Sequence, residues 1–319
     1  MSTDSHSDID VAAVLALLRA ATAADGVRPL SEESELRLQH GGPPGGGDLV
    51  VRDGDDVAGY ARYDIGTDGG VEAELVVHPS CRRQGHATAL LERLIELAGP
   101  RPLSLWAHGD LPGSADLLAP RGFSRSRVLL QMRRDLAGVD PDPHPALPED
   151  VHVAAFRPGR DEGAWLRVNA RAFAHHPEQG SWTAEDLRLR EQEPWFDPEG
   201  FLLAWRGDPD DGGELLGSRG EPQGARLVGF HWTKVHPPGD VGDEPVGEVY
   251  VLGIDPDAQG MSLGRALTDL GLAHLRGRGL HEVLLYTDED NTAAVALYER
   301  SGFRRFSVDV LWRRDPSRR

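Results

Sequence analysis

The sequence predicts two tandem mixed α/β domains of one kind, and three observations carry that prediction. The chain has 319 residues, room for two domains of ordinary size. In each half, alternating apolar segments of strand length precede amphipathic segments of helix length. The halves also repeat one another: VEAELVVHPSCRRQGHATALLERLIELA (71–98) is answered by GEVYVLGIDPDAQGMSLGRALTDLGLAHL (247–275). Pro79 and Pro256 stand 177 positions apart, and RGF at 121–123 meets SGF at 301–303 at an offset of 180. One repetition at so long an offset is a domain duplication, whereas solenoid repeats are far shorter.

In the first half, 10–24 reads as a helix and 49–52 with 57–64 as a hairpin turning on Asp53-Gly54. Residues 71–77 form a third strand, and 87–98 a helix with Leu90, Leu91, Leu94, Ile95 and Ala98 on one apolar face. A late strand carries Trp106 and His108, read as packing and edge residues. The prolines of AGVDPDPHPALPE (137–149) mark a boundary, dividing the chain into a domain at 1–140, a linker at 141–150 and a domain at 151–319. In the second half, 163–173 reads as a helix, 201–206 and 226–233 as strands around a solvated acidic loop (207–224), and 247–254 as a strand. A helix near 264–277, entered at Leu263, is expected to bury Leu263, Leu267 and Leu270. Strand 282–287, helix 291–300 and strand 303–312 follow, with Asp288, Glu289 or Asp290 as the expected helix cap.

Charge and composition exclude several function classes. Against 52 Asp and Glu stand 34 Lys and Arg, a formal charge of -18, which repels nucleic acid and anionic membrane. No apolar run reaches the roughly 18 residues of a membrane span. The start MSTDSHSDID lacks a basic region followed by an apolar one, and Cys81 is the single cysteine, so neither secretion nor an intrachain disulfide is expected. A cytoplasmic monomer without nucleic-acid or membrane partners is the expectation.

The chemistry enters at the turn RRQGHA (82–87), between a strand and the first turn of a helix. Backbone N–H groups there lack intrahelical partners and can face an anion; Gly85 permits close approach, and Arg82 and Arg83 add charged donors. The second half has Gln259-Gly260-Met261-Ser262-Leu263-Gly264 in the same slot. Neither turn is a dinucleotide fingerprint or a Walker loop. Both resemble the acyl-CoA loop of the GNAT N-acetyltransferases, Arg/Gln-x-x-Gly-x-Gly/Ala, through Arg82, Gly85 and Ala87 in one half and Gln259 and Gly264 in the other. Ser262 replaces the central glycine, and a negative φ there would keep its N–H available as a donor.

The second half is similar, more narrowly, to the mycothiol synthase family of tandem GNAT enzymes. The resemblance is carried by AFAHHPEQGSW (172–182), PWFDPEG (194–200), GFHWTKVHP (229–237), GEVYVLGIDP (247–256) and YTDEDNTAAVALYERSGF (286–303). It implies acetyl transfer from acetyl-CoA, as cosubstrate, to the cysteinyl amine of Cys-GlcN-Ins, with the C-terminal domain active and the N-terminal domain a noncatalytic copy. Cofactor contacts are then expected at Val77, Arg82, Arg83, Gly85, His86 and Ala87 in the first copy. In the second they fall at Leu252, Ile254, Gln259 to Gly264 (Gly260, Met261, Ser262 and Leu263 included) and Asn291.

Alternation places Glu248, Tyr250 and Leu252 on one strand face, with Glu248 as general base, acting through a water because an ordinary carboxylate is a weak direct base for an amine. The resemblance assigns Tyr298 as general acid toward the CoA sulfur, and strand N–H groups near 250–254 are placed to polarise the thioester oxygen. The offset of 177 sets Val71 opposite Glu248 and that of 180 sets Leu118 opposite Tyr298, so the first half is expected to lack both groups. His175, His176, Glu178, Trp182, Trp232, Thr233, Lys234 and His236 are read as the wall of a polar cleft, with His176, Glu178, Trp232, Lys234 and Glu248 contacting the acceptor. No metal is expected, because these histidines lack companion ligands at metal-binding spacing. Two alternatives remain open: a tandem GNAT acting on another small amine or a protein N-terminus, and a noncatalytic acetyl-CoA-binding module.

Overall fold

The computed structural model describes residues 9–316 apart from 42–44, 67, 175–176, 209–214 and 217–221. Its first half runs α1 (Val11–Asp25), α2 (Glu32–His40), β1 (Gly47–Asp53), β2 (Asp56–Ile65), β3 (Val71–Val77), α3 (His86–Ala98), β4 (Leu103–Ala107), α4 (Pro112–Leu118) and β5 (Ser124–Asp135). The second half runs β6 (Val151–Ala155), α5 (Glu162–Ala172), α6 (Pro177–Gly180), α7 (Ala184–Glu191), β7 (Phe201–Arg206), the short β8 (Leu215–Leu216) and β9 (Pro222–Gln223), then β10 (Arg226–His236), β11 (Val246–Ile254), α8 (Leu263–Gly277), β12 (Glu282–Asp288), α9 (Thr292–Arg300) and β13 (Arg304–Arg314). Most of the acidic segment 207–224 lies outside the described residues, apart from the β8–β9 pairing.

Eleven strands form one sheet in the order β1-β2-β3-β4-β13-β5-β12-β11-β10-β7-β6. The halves trade their last strands. β5 leaves the first half to pair antiparallel with β12, while β13 returns from the second half to pair with β4, and β5 and β13 lie side by side. The linker therefore divides the chain but not the sheet.

Local chemistry accounts for the helices. Leu90, Leu91, Leu94 and Ala98 of α3 are buried against Leu49, Ala73, Leu103 and Leu105, each large side chain contributing about 1.5–3 kcal/mol by leaving water. On α8, Leu263, Leu267, Leu272 and Leu275 are buried; Leu270, expected among them, is only half-buried. Gly271 on that helix has no room for a Cβ, which would sit 2.1 Å from the buried His231 ring on β10. α2 was not legible as an apolar stripe. It is fixed by polar chemistry instead: the Ser31 side chain accepts from the Ser34 N–H, and Glu32, Glu33 and Glu35 sit in the first turn at the positive end of the helix dipole. At α9 the cap is Asn291, whose side chain accepts from the Ala294 N–H at 3.2 Å. Asp288, expected to compete for that role, pairs with Arg127 at 2.6 Å.

One irregularity positions the site. Across β10 and β11, Trp232 pairs with Val251 and Thr233 with Val249, so Tyr250 is an extra residue, a β-bulge. Strand alternation restarts there. Val249 packs on Leu272 and Leu275 of α8, Tyr250 and Val251 turn to the opposite face among Trp165 and Trp232, and Leu252 returns to the α8 face. Glu248 and Leu252 thus point to opposite faces, against the simple alternation expected.

Candidate active site

Beyond the bulge, β11 and β12 part. They pair in parallel only from Gly247–Val283 to Val249–Leu285, although β11 continues to Ile254 and β12 to Asp288. A wedge opens there, facing the loop before α8. In that loop Gly260 and Ser262 have φ of 81° and 60°. The first copy has the same pair of left-handed residues at Arg83 and Gly85, with φ of 62° and 92°. Left-handed residues alternating with right-handed or extended ones turn successive N–H groups inward, the geometry of an anion nest, and each loop leads into a helix N-terminus. Ser262 is therefore left-handed, not at the negative φ anticipated, and its side chain makes no capping bond.

All six first-copy residues expected at the cofactor, Val77, Arg82, Arg83, Gly85, His86 and Ala87, line one pocket of about 790 Å³. Arg82 is already engaged: its two terminal guanidinium nitrogens meet the Asp25 carboxylate at 2.7 Å, and Nε donates to the Val77 carbonyl at 3.3 Å. Its charge is matched, which leaves Arg83 and the backbone as that loop's donors.

Glu248 is 7% exposed and lines a cavity of about 260 Å³ between the halves. His236 Nε2 meets Glu248 Oε2 at 2.6 Å, and His236 Nδ1 meets Asp240 Oδ2 at 2.7 Å. With a carboxylate on each side, both ring nitrogens donate. Burial alone would lower the His236 value, but the bonds to Asp240 and Glu248 outweigh it and raise it above the ordinary histidine range. Lys234 lies on the same face as its register partner Glu248, 5% exposed, with its ammonium on Glu32 and 4.6 Å from the Trp195 ring centroid. Burial opposes ionisation of Glu32, and Lys234 reverses that, holding the carboxyl below its usual range. Glu32 comes from α2, so the first half supplies a wall of this site. No motif marked it in the sequence.

The same cavity holds a second, half-buried histidine. His108 bridges Glu74 at 2.9 Å and Asp309 at 3.1 Å, and although burial opposes its charge the two carboxylates raise it to about 10. It is a charged tie between β3 and the exchanged β13, not the edge residue expected.

Tyr298 sits on the α8 side, buried among Val249, Leu272, Val295 and Phe303, and burial raises its phenol, which stays protonated. Glu248 and Tyr298 therefore belong to opposite faces of the sheet, with the unpaired wedge between β11 and β12 beside both. Trp232, expected on the cleft wall, is instead core: it is 0% exposed, stacks on Phe201 at 4.3 Å, and its indole N–H has no hydrogen-bond partner among the described residues. Trp195 and Tyr250 cover it and meet Lys234. His175 and His176 lie outside the described residues, as does the Glu178 side chain. Thr233 donates to the Gly200 carbonyl at 2.8 Å, a structural bond.

The bulge also corrects the comparison of the two halves. β2 and β3 pair Gly59 with Val77 and Asp64 with Glu72 without interruption, whereas β10 and β11 pair Gly229 with Ile254 and Lys234 with Glu248 across the extra Tyr250. Upstream of the bulge the offset falls by one, and the counterpart of Glu248 is Glu72, not Val71. Glu72 accepts from the Trp106 indole N–H at 3.0 Å. The pairing of Tyr298 with Leu118 stands, since Phe303 N–H donates to the Tyr298 carbonyl as Phe123 N–H does to that of Leu118. The first half therefore keeps a carboxylate at the equivalent position and lacks the phenol.

Comparison with known proteins adds a family. The Acetyltransferase (GNAT) family model matches residues 14–123 and 169–303. A mycothiol acetyltransferase of Geodermatophilus obscurus is 69% identical over 95% of this chain and 94% of its own. That of Thermobispora bispora is 53% identical, covering 96% of each. Among solved structures, a tandem GNAT protein from the clavulanic acid biosynthesis pathway superposes with a TM-score of 0.69 at 23% identity, covering 99% of this chain and 98% of that one. A GCN5-related N-acetyltransferase from Sphaerobacter thermophilus gives 0.66 at 24% identity, covering 98% and 94%. These two likenesses concern the fold.

Proposed function

This chain belongs to the mycothiol acetyltransferase family of GNAT enzymes, and from that premise we propose that its second half transfers the acetyl group of acetyl-CoA to the cysteinyl amine of Cys-GlcN-Ins, giving mycothiol and CoA. The observation that carries the assignment of chemistry to this half is the buried Glu248, set in a polar cavity beside the wedge where β11 and β12 part.

In this reading the N–H groups of Gly260 to Gly264 hold the pyrophosphate at the α8 N-terminus, assisted by the helix dipole. The fit is favoured by the two left-handed residues that turn the loop. Glu248 takes the proton of the substrate ammonium, directly or through a water, and the free amine attacks the thioester carbonyl. Tyr298, kept protonated by burial, returns a proton to the departing sulfur. Lys234 and Glu32 present a donor and an acceptor to the hydroxyl-rich acceptor, and Trp195 gives a flat apolar face for a sugar ring.

The test is turnover of purified protein with acetyl-CoA and Cys-GlcN-Ins, set against glucosamine and an N-terminal peptide. Cys-GlcN-Ins is expected to be the preferred acceptor by at least tenfold in kcat/KM. Glu248→Gln is expected to lower turnover at least tenfold, a loss of about 1.4 kcal/mol of transition-state stabilisation, while acetyl-CoA affinity is kept. Near-normal turnover would remove Glu248 from the mechanism, and a preferred peptide would replace the acceptor.

A further inference from the structure

The His236 ring has both nitrogens committed to carboxylates, and the two carboxylates face different spaces. Glu248 lines the cavity between the halves, whereas Asp240 lines a neighbouring cleft of about 600 Å³, and Arg28 and Lys234 border both. The bonds, at 2.6 and 2.7 Å, are in the short range of charge-assisted pairs. Asp240 is in turn anchored by Arg28 at 3.5 Å, and Arg28 pairs with Glu35 at 2.5 Å. The result is an alternating chain of charges, Glu248–His236–Asp240–Arg28–Glu35, running from the cavity into the first half.

We infer that His236 is a positioning residue for the acetyl transfer: as an imidazolium held by Asp240, it fixes Glu248 through Oε2 and leaves Oε1 to accept the amine proton. The inference rests on the reading of Glu248 as the base. The fixed partner does two things. It holds the carboxylate in one rotamer, so that the free oxygen has one direction, and it sets a positive charge beside it. Lys234, on the same strand, adds to that field but is turned to Glu32. Across the cavity Arg133 is turned to Glu282, and the Tyr286 hydroxyl accepts from Gln131 at 2.7 Å. His108, a further cation there, is held by Glu74 and Asp309. Each of these charges has its own partner, and His236 is the cation bonded to Glu248 itself.

The experiment is kcat and KM for the full chain and for His236→Ala, His236→Gln, Asp240→Asn, Glu248→Gln and the double variant His236→Ala/Glu248→Gln. His236→Ala is expected to lower kcat at least tenfold with the KM for acetyl-CoA within about threefold of the parent, and His236→Gln, which keeps a hydrogen-bond donor, to recover part of that loss. Asp240→Asn is expected to lower kcat by a smaller factor. In the residual turnover of Glu248→Gln, His236→Ala is expected to cost nothing further, because the carboxylate it positions is gone. A merely structural role would add its loss in that background too, and that result, or an unchanged kcat in His236→Ala, would overturn the inference. If His236→Ala fails to fold, as judged by acetyl-CoA affinity and circular dichroism, an unchanged kcat in Asp240→Asn overturns it alone. Glu248→Gln separates the two claims. Full turnover in that variant refutes the base and the inference with it, whereas an inactive Glu248→Gln beside a fully active His236→Ala refutes only the role of His236.

Discussion

Replacing Ser262 by glycine isolates what the left-handed residue in the second loop costs. Ser262 stands at φ 60° and ψ 12°, where an L-residue is disfavoured by about 1–2 kcal/mol. Its side chain makes no capping bond, so little is lost with the hydroxyl. Against the relief, glycine adds about 0.4–1 kcal/mol of unfolded-chain entropy. The net is between about 0 and 1.6 kcal/mol of stabilisation, a Tm rise of no more than a few degrees in a chain of this size. Because the backbone N–H groups already hold the nest geometry, acetyl-CoA affinity measured by calorimetry is expected to be unchanged or improved. The reciprocal change, Gly85→Ser in the first copy, is a control: a Cβ there meets nothing within 4 Å, so its expected loss of about 0 to 1.6 kcal/mol is backbone strain less the unfolded-chain entropy, with no clash. A tenfold loss of acetyl-CoA affinity in Ser262→Gly, about 1.4 kcal/mol, would refute this reasoning and give the hydroxyl a specific role.

Tyr298→Phe is expected to lower turnover by less than Glu248→Gln but clearly; full activity with an unchanged pH profile would leave Tyr298 a packing residue only. The pH dependence of stability should carry the mark of His108. Its folded value, about 10, lies above the unfolded one, so its contribution is complete below about pH 6.5 and is lost as the pH rises toward 10. His108→Gln should flatten the fall of Tm over that window, and an unaltered slope would contradict the charged tie. Expression of residues 151–319 alone removes the strand that lies beside β12. It is expected to give insoluble or molten protein by near-ultraviolet circular dichroism, and a cooperatively melting fragment would show that the exchange is dispensable.

The repeat, the helix faces and both loops were legible because each rests on local periodicity or on a turn with its own residue signature. What escaped has a common cause. The bulge at Tyr250 is one inserted residue in a strand of otherwise regular alternation, and nothing in GEVYVLGI distinguishes it from an unbroken strand. That single residue reversed the face of Leu252 and moved the counterpart of Glu248 from Val71 to Glu72. Glu32, His108 and Asp309 escaped because their significance lies in partners 34 to 202 positions away, which a linear reading cannot supply. Trp232 was misread for the opposite reason. Aromatic residues in a polar motif look like a sugar platform, but the one facing the cavity is decided by which neighbour covers which, and Trp195 covers Trp232.

The crossed strands set an order of events during synthesis. The nascent chain emerges N-terminus first, and domains ordinarily fold as they appear. Here β4 has no neighbour on one side until Arg304–Arg314 leave the ribosome, and β5 must wait for Glu282–Asp288 before its outer edge is covered. For most of translation the first copy carries an unpaired strand edge, the kind of surface that recruits other chains. The last tenth of the polypeptide closes both copies at once, so a premature stop near residue 300 would leave the earlier half as incomplete as the later one.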